Sequence, residues 1–284
     1  MSATKNIGAS VRARLLNRAR SEKVDFNFML TRYALERLLY RLSVSEWSNE
    51  FLLKGALLFD LWFDQPQRPT RDIDLLGFGS AGLEYLTTVF QNICGQTCDD
   101  GMVFDPASVQ AMEIRKDANY EGVRLTLLGT LDRARCAIQI DVGYGDAVTP
   151  AADCVLFPVL LDDMPQPALR AYPVYTVIAE KYQAMVSLGI ANTRMKDYFD
   201  LWILALHATI DRTNLDRAIQ ATFERRATRL PVNPPLALSA TFATDIMKQQ
   251  QWKAFLSKNR LKAPELGEVV LVLQQLIGVA GLAE

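Results

Sequence analysis

The chain has 284 residues, of which half are hydrophobic and 22% are charged. This size and composition are typical of a globular protein with one large domain or two smaller ones. The formal net charge of −1 excludes a global positive field of the kind that attracts nucleic acid, so any RNA contact would depend on a local basic strip.

Cysteine and histidine usage narrows the chemistry further. Four cysteines are too few for a disulfide scaffold and lack the spacing of a zinc site. The single histidine, His207, excludes a multi-histidine metal site and is predicted to lie packed or at a helix end. The N-terminus has no signal-peptide pattern and no apolar run reaches ~18 residues. We therefore expect a cytoplasmic protein without a membrane contact.

The first 170 residues have a mixed α/β pattern. Apolar spacing of the helical kind recurs at residues 9–42, 56–63 and 81–94. Short apolar or alternating runs predict strands at Phe51–Leu53, Asp72–Leu76, Val123–Leu127 and Ala137–Val142. The last two flank a turn region at residues 129–133 and are predicted to form an antiparallel pair.

The rest of the chain is predicted to be helical. Residues 145–173 contain five prolines and are expected to form a connector with at most a short strand. Helices are predicted at residues 174–188, 195–207, 213–226, 236–257 and 264–280. The change of pattern places a domain boundary near residue 170, with a mixed domain over residues 1–170 and a helical domain over residues 171–284.

Two aspartates stand two residues apart in the strand Asp72-Ile73-Asp74. Residues at that spacing in a strand share a face, about 6–7 Å apart, so both carboxylates emerge together. Adjacent carboxylates repel unless a cation lies between them, and hard oxygen ligands suit Mg²⁺. Alone, this motif is more typical of a solvated strand end.

A third carboxylate, Asp141, lies near the end of another apolar strand. If the two strands are neighbours, three carboxylates converge, which is the arrangement used in two-metal phosphoryl and nucleotidyl transfer.

Two longer segments resemble the AbiEii/AbiGii group of nucleotidyltransferase toxins, to which the MenT toxins belong. The first is Phe51-Leu-Leu-Lys-Gly-Ala-Leu-Leu-Phe-Asp-Leu-Trp-Phe, followed by Arg68-Pro-Thr-Arg-Asp-Ile-Asp-Leu-Leu. The second is Ile178-Ala-Glu-Lys-Tyr-Gln-Ala-Met, followed by Arg194-Met-Lys-Asp-Tyr-Phe-Asp-Leu-Trp. Their order along the chain makes the match more specific than either segment alone.

The resemblance implies an α+β fold with a polymerase-β-like core, built on a mixed, mostly antiparallel sheet, and an α-helical C-terminal domain that borders the active-site cleft. It implies Mg²⁺, with Mn²⁺ as the alternative, and transfer of a nucleotide from an NTP to RNA. The acceptor would be the tRNA 3′ end, which blocks translation. Such toxins of toxin–antitoxin or phage-defence systems imply an antitoxin partner, expected to be a winged-helix protein.

The roles that the resemblance implies attach to particular residues. Asp72 and Asp74 would bind metal, and Asp141 would complete the metal site or act as a base. Lys181 and Lys196 would neutralise triphosphate charge. Lys181 and Asp197 are expected to be catalytic, and Lys54, Gly55, Arg71, Lys196 and Asp200 are expected to bind the nucleotide. Either Asp197 or Asp200 would orient a lysine or the nucleotide, although a surface ion pair at Lys196-Asp197 is an equal alternative. Arg68 and Arg71 would hold phosphate or form structural pairs with aspartate. RNA would lie on Arg12, Arg14 and Arg18, or on Arg225, Arg226 and Arg229.

One segment departs from the family pattern. The glycine turn is Gly55-Ala56-Leu57 and lacks the second glycine and the hydroxyl residue that are common in the family. Gly55 can still open a helix whose N–H groups receive phosphate. The departure leaves open a changed donor or a weakened enzyme, and it favours the alternative of a catalytically inactive scaffold that binds a partner protein. A nucleotidyltransferase that acts on small molecules is a further alternative on the same fold.

Overall fold

The computed structural model describes residues 6–63, 69–117 and 120–278, excluding the side chains of residues 115–117, 120 and 121. The chain divides into two compact units, each described by itself below. The first, here called the sheet unit, comprises Met1–Pro66, Thr70–Gly145 and Asp153–Ala171. The second, the helical unit, comprises Gln67–Pro69, Asp146–Ala152 and Tyr172–Glu284.

The sheet unit contains four helices and one mixed sheet in its described part. The helices are α1 (Ile7–Glu22), α2 (Phe26–Ser43), α3 (Leu58–Trp62) and α4 (Leu83–Gly95). The strands are β1 (Phe51–Lys54), β2 (Asp72–Gly77), β3 (Met102–Asp117), β4 (Tyr120–Leu131), β5 (Ala134–Tyr144), β6 (Asp153–Leu156) and β7 (Ala168–Ala171). Their order in the sheet is β3-β4-β5-β2-β1-β7-β6.

Most neighbouring strands are antiparallel. The exceptions are the parallel pairs β2–β5 and β1–β7. The predicted α+β class with a mixed, mostly antiparallel sheet is therefore confirmed.

The two faces of the central strands differ in polarity. On one face, Ile73 pairs with Ile140 and Leu75 with Val142, and all four side chains are almost fully buried. On the other face the same strands carry Asp72, Asp74 and Asp141. This alternation follows from the two-residue period of a strand, and it directs the apolar set into the core while it leaves a row of charges on the opposite face.

Helix α2 anchors the core side of the sheet unit through buried charges. Arg41 forms a two-pronged ion pair with Asp100, at 2.6 and 3.1 Å, and also donates to the carbonyl of Met102. Both side chains are almost completely buried. A guanidinium can be buried in this way because its donors are satisfied.

The helical unit is all-α in its described part. Its helices are α5 (Val174–Leu188), α6 (Met195–His207), α7 (Arg212–Arg225), α8 (Ala240–Thr244), α9 (Ile246–Asn259) and α10 (Leu266–Ile277). Among the described helices, none has the length and apolarity needed to span a membrane.

Several sequence predictions need correction at their edges. The helix predicted over residues 236–257 is broken into a 3-10 turn, α8 and α9, because Asp245 ends one helix and caps the next through Lys248 N–H. Strand β3 begins at Met102, ahead of the strand pattern that the sequence shows from about residue 109. The proline-rich connector contains β6 and β7. His207 ends α6 and is exposed, as a helix-end histidine should be.

Candidate active site

Strand β2 presents the two aspartates as predicted. Asp72 and Asp74 are partly exposed, whereas Ile73 and Leu75 between and after them are buried. Thr70 Oγ1 donates a hydrogen bond of 2.8 Å to Asp72 Oδ1 and so helps to fix the orientation of that carboxylate. The arrangement places two hard oxygen ligands on one face.

Gly55 makes room for Asp74. It follows β1, has φ +76°, and lies so close to Asp74 that a Cβ atom would be 2.1 Å from Asp74 Oδ2. Both the backbone conformation and the contact require glycine. The single glycine of the Gly55-Ala56-Leu57 turn is therefore accounted for by the packing of the carboxylate beside it.

Four charged residues form one row across the sheet. Lys54 on β1 pairs in register with Asp74 on β2, Asp74 with Asp141 on β5, and Asp141 with Arg124 on β4. Residues paired in this way project to the same face of the sheet. The row therefore reads positive, negative, negative, positive, with neighbouring strands ~4.8 Å apart. Hereafter these four residues are called the charged row.

Within this row, Arg124 and Asp141 form a bidentate ion pair. Arg124 Nε donates to Asp141 Oδ1 at 2.8 Å and Nη2 donates to Oδ2 at 2.9 Å. The Asp141 side chain is 5% exposed and that of Arg124 is 35% exposed. With its amide turned to suit its neighbours, Gln139 accepts from Arg124 Nε at 3.3 Å and from Nη2 at 3.2 Å.

The charges of the site act on Arg124. Hydrogen bonding to Asp141 raises the pKa of Arg124 above its ordinary value. The negative charges of Asp72 and Asp74 raise the same pKa further, as expected of a guanidinium that lies near both. Arg124 was not among the residues singled out from the sequence.

The donor set bears on the expected metal. Asp72 and Asp74 supply carboxylate oxygens on one face, and Mg²⁺ is usually held by one or two carboxylates together with waters and substrate phosphates. Both oxygens of Asp141 accept hydrogen bonds from Arg124 instead. Within the described residues, no group of three or more His, Cys, Asp or Glu is arranged to hold a metal. The residues thus fit a two-carboxylate site that phosphate oxygens complete.

The residues expected to flank the aspartates have different environments. Lys54 is 8% exposed, and Arg71, the residue before β2, is exposed. Arg68 lies outside the described residues.

A second charged cluster lies within the helical unit. Lys181 on α5 donates to Asp197 Oδ1 at 2.7 Å and to Asp200 Oδ2 at 2.8 Å, both on α6. Arg194 forms a further ion pair with Asp197 at 2.7 Å. The two aspartate side chains are almost completely buried, that of Lys181 is 14% exposed, and Lys196 is exposed. We call Lys181, Arg194, Asp197 and Asp200 the helical cluster.

The helical cluster gives the predicted residues a concrete arrangement. Asp197 and Asp200 stand three apart on α6, where one of them was expected to orient a lysine or the nucleotide, and both accept hydrogen bonds from Lys181. Arg194, which the sequence analysis did not single out, adds a second positive charge. The prediction that these residues border the cleft of Asp72 stays a prediction.

Several arginines of the two proposed RNA-binding strips form ion pairs within the protein. In the N-terminal strip, Arg14 pairs with Asp163, and Arg18 pairs with Glu22 and bonds the carbonyl of Leu160. In the other strip, Arg226 pairs with Asp146, whereas Arg225 and Arg229 are exposed. Much of the positive charge expected to face RNA is therefore offset by carboxylates.

Comparison with solved structures supports the fold. The chain resembles JHP933 from Helicobacter pylori, with a TM-score of 0.51, 15% identity, and coverage of 89% of this chain and 90% of that one. It also resembles an H. pylori protein described as a candidate nucleotidyltransferase, with a TM-score of 0.53, 15% identity, and coverage of 92% and 100%. At this identity the likeness concerns the fold alone. No match was found among curated proteins.

The family comparison covers most of the chain. Residues 37–270 match the model of the nucleotidyl transferase AbiEii toxin family, assigned to type IV toxin–antitoxin systems. The match spans both the charged row and the helical cluster, and it confirms the family suggested by the two sequence segments. The chain belongs to the AbiEii family of nucleotidyltransferase toxins.

Proposed function

We propose that this nucleotidyltransferase uses Mg²⁺ to transfer a nucleotide from an NTP to the 3′ end of an RNA, with tRNA as the acceptor, and that it thereby blocks translation. The observation that carries the proposal is the pair Asp72 and Asp74, which share a face of β2 beside Gly55. A toxin of this kind acts in the cytoplasm and is silenced by its antitoxin.

Transfer of a nucleotide requires that the site bind the triphosphate and neutralise its negative charge. The acceptor hydroxyl oxygen bonds to the α-phosphorus, the bond from that phosphorus to the bridging oxygen breaks, and pyrophosphate leaves. The hydroxyl proton passes to water or to a base. Negative charge gathers on phosphate oxygens during transfer, so a site for it needs fixed positive charge. Bound Mg²⁺ would neutralise phosphate charge and orient the triphosphate.

Asp72 and Asp74 would hold the metal, and Lys54 and Arg124 supply positive charge at the two ends of the charged row. The Gly55 turn packs against the Asp74 carboxylate, and we assign the backbone N–H groups that follow Gly55 to binding a phosphate. In the helical unit, we assign Lys181 and Lys196 to triphosphate charge and the two aspartates of the helical cluster to orienting Lys181.

The test is incubation of the purified protein with Mg²⁺, each labelled NTP and total tRNA. The expected result is label on RNA from at least one NTP, which EDTA abolishes. The absence of label from every NTP, with growth unaffected on expression, would favour the inactive scaffold. Label on an aminoglycoside but never on RNA would favour the small-molecule enzyme.

The antitoxin is tested separately. Co-expression of the product of the adjacent gene should restore growth if that product is the silencing partner. A winged-helix protein at that position is the expected result.

A further inference from the structure

Within the part of the chain that the structure describes, the guanidinium of Arg124, at one end of the charged row, is hydrogen-bonded along only one of its edges. Its Nε and Nη2 atoms face Asp141 and Gln139. Among the described residues, no acceptor is recorded for its Nη1 atom. The side chain also keeps 35% of its surface exposed. One edge of the guanidinium is thus anchored, and the Nη1 end remains available to a ligand.

That available end lies close to the two aspartates. Asp141, which holds the guanidinium, is the in-register neighbour of Asp74. The spacing of adjacent strands therefore places the guanidinium within roughly 5–8 Å of the Asp74 carboxylate. An anion that approaches a metal on Asp72 and Asp74 would meet Arg124 on the side of β5.

The anion that fits is a phosphate. Guanidinium groups bind phosphate oxygens through paired N–H donors, and Arg124 retains the two N–H donors of Nη1. A triphosphate bound at Asp72 and Asp74 brings several phosphate oxygens within this range. A carboxylate partner that holds the opposite edge of the guanidinium fixes its direction and lowers the entropy lost on binding.

We propose that Arg124 binds the triphosphate of the NTP and that Asp141 is its positioning residue rather than a metal ligand. This inference rests on the proposed function, since it assumes that an NTP binds at Asp72 and Asp74. It changes the expected three-carboxylate centre into a site with two carboxylates and an anchored arginine.

The test uses binding rather than turnover. The variants are Arg124→Gln, Arg124→Lys, Asp141→Asn and the double variant R124Q/D141N, with Asp74→Asn as the metal-site reference. Arg135→Gln is the matched control, because Arg135 is exposed on the same strand and face as Asp141, ~20 Å away along the strand. Affinity for a non-hydrolysable NTP is measured by calorimetry, and Mn²⁺ binding without nucleotide is measured from the free-ion paramagnetic signal.

Arg124→Gln should weaken NTP binding at least ~10-fold, the size expected for hydrogen bonds to a charged group. Arg124→Lys should recover part of this loss, and the Arg135→Gln control should stay within ~2-fold, as expected of a surface change remote from the site. Asp141→Asn should leave Mn²⁺ binding far closer to that of the unmodified protein than Asp74→Asn does.

Folding of each variant is checked by thermal unfolding. The double variant removes both charges and leaves no buried ion unpaired, so it keeps the proposal testable if Arg124→Gln alone does not fold. It should bind NTP no better than Arg124→Gln.

Two results would overturn the inference. One is NTP binding by Arg124→Gln or by the folded double variant that equals that of the unmodified protein. The other is a loss of Mn²⁺ binding in Asp141→Asn as large as that in Asp74→Asn. If the unmodified protein binds no NTP at all, both the proposed function and the inference fail. If the unmodified protein binds NTP and either of the two results above is obtained, only the inference fails.

Discussion

The charged row and the helical cluster both combine aspartates with lysine and arginine, but the aspartates differ in burial and in how their charge is balanced. In the helical cluster, two almost fully buried aspartates are matched by Lys181 and Arg194, at distances of 2.7 to 2.8 Å. At the charged row, Asp74 and its neighbour on β2, Asp72, are partly exposed and lie side by side, and a glycine at position 55 leaves room for the Asp74 carboxylate.

The difference indicates what each arrangement stabilises. Paired charges within a buried cluster matter for stability, because removing one partner leaves the other charge buried without a counter-ion. Like charges that stand side by side repel each other, and a bound cation relieves that repulsion. We therefore expect changes in the helical cluster to alter stability first, and changes at Asp72 and Asp74 to alter function first.

The largest stability effect is expected in the helical cluster. Asp197→Ala should lower the free energy of unfolding by ~3–5 kcal/mol, because Lys181 and Arg194 lose a buried partner. Denaturant unfolding measures this loss. The control is Asp216→Ala, which breaks the exposed pair of Arg212 and Asp216 on α7 and should cost less than ~1 kcal/mol. Equal losses in the two variants would show that the helical cluster does not stabilise the fold.

Gly55→Ala should affect both stability and function. The substitution forces φ +76° on an L residue and places Cβ against Asp74 Oδ2. We expect a stability loss of ~1–2 kcal/mol from the backbone conformation and a loss of nucleotide transfer from displacement of the carboxylate. Unfolding and transfer assays are run on the same preparation.

The matched control is Gly189→Ala, at φ +50° with no atom within 4 Å of the added Cβ. It should lose stability but keep transfer activity per folded molecule. If Gly55→Ala keeps full activity as well, the position of Asp74 does not depend on this glycine.

The smallest expected effect concerns RNA binding. Replacing the exposed Arg229 with Gln should weaken tRNA binding uniformly and lower the slope of log affinity against log salt by ~1 for the lost phosphate contact. Changing Arg14, which pairs with Asp163, should alter that slope less. A slope that is unchanged in all of these variants would place the RNA elsewhere on the molecule.

The sequence predicted the aspartates better than their surroundings. Strand alternation alone put Asp72 and Asp74 on one face, since a two-residue period requires no partner strand. The family resemblance added Lys181, Asp197 and Asp200, and the structure joins those three in one cluster.

The sequence analysis missed Arg124 because the residues of β4 and β5 do not by themselves determine the register in which the two strands pair. The predicted turn over residues 129–133 left the pairing open, whereas the observed hairpin turns at Asp132 and Arg133, with Asp132 at φ +53°. A two-residue turn there aligns Leu131 with Ala134 and, by counting back, Arg124 with Asp141. A short hairpin loop at Asp132-Arg133 was thus the signal that would have revealed the pair.

The break between α8 and α9 was missed for a similar reason. Asp245 ends one helix while its side chain caps the next, and a continuous apolar pattern conceals such a change of direction. Buried ion pairs such as Arg41 with Asp100 join residues far apart in the chain and leave no local pattern.

The most direct test of the account is nucleotide transfer by Asp74→Asn compared with the unmodified protein, using Mg²⁺, the preferred labelled NTP and tRNA. Asparagine keeps the shape of the side chain and removes only its charge. We predict a loss of at least ~10²-fold in transfer, the cost typical of one well-placed electrostatic group, in a variant whose folded state is verified by thermal unfolding. Near-normal transfer by Asp74→Asn, or growth arrest on expression equal to that of the unmodified protein, would contradict the assignment of this aspartate to the active site.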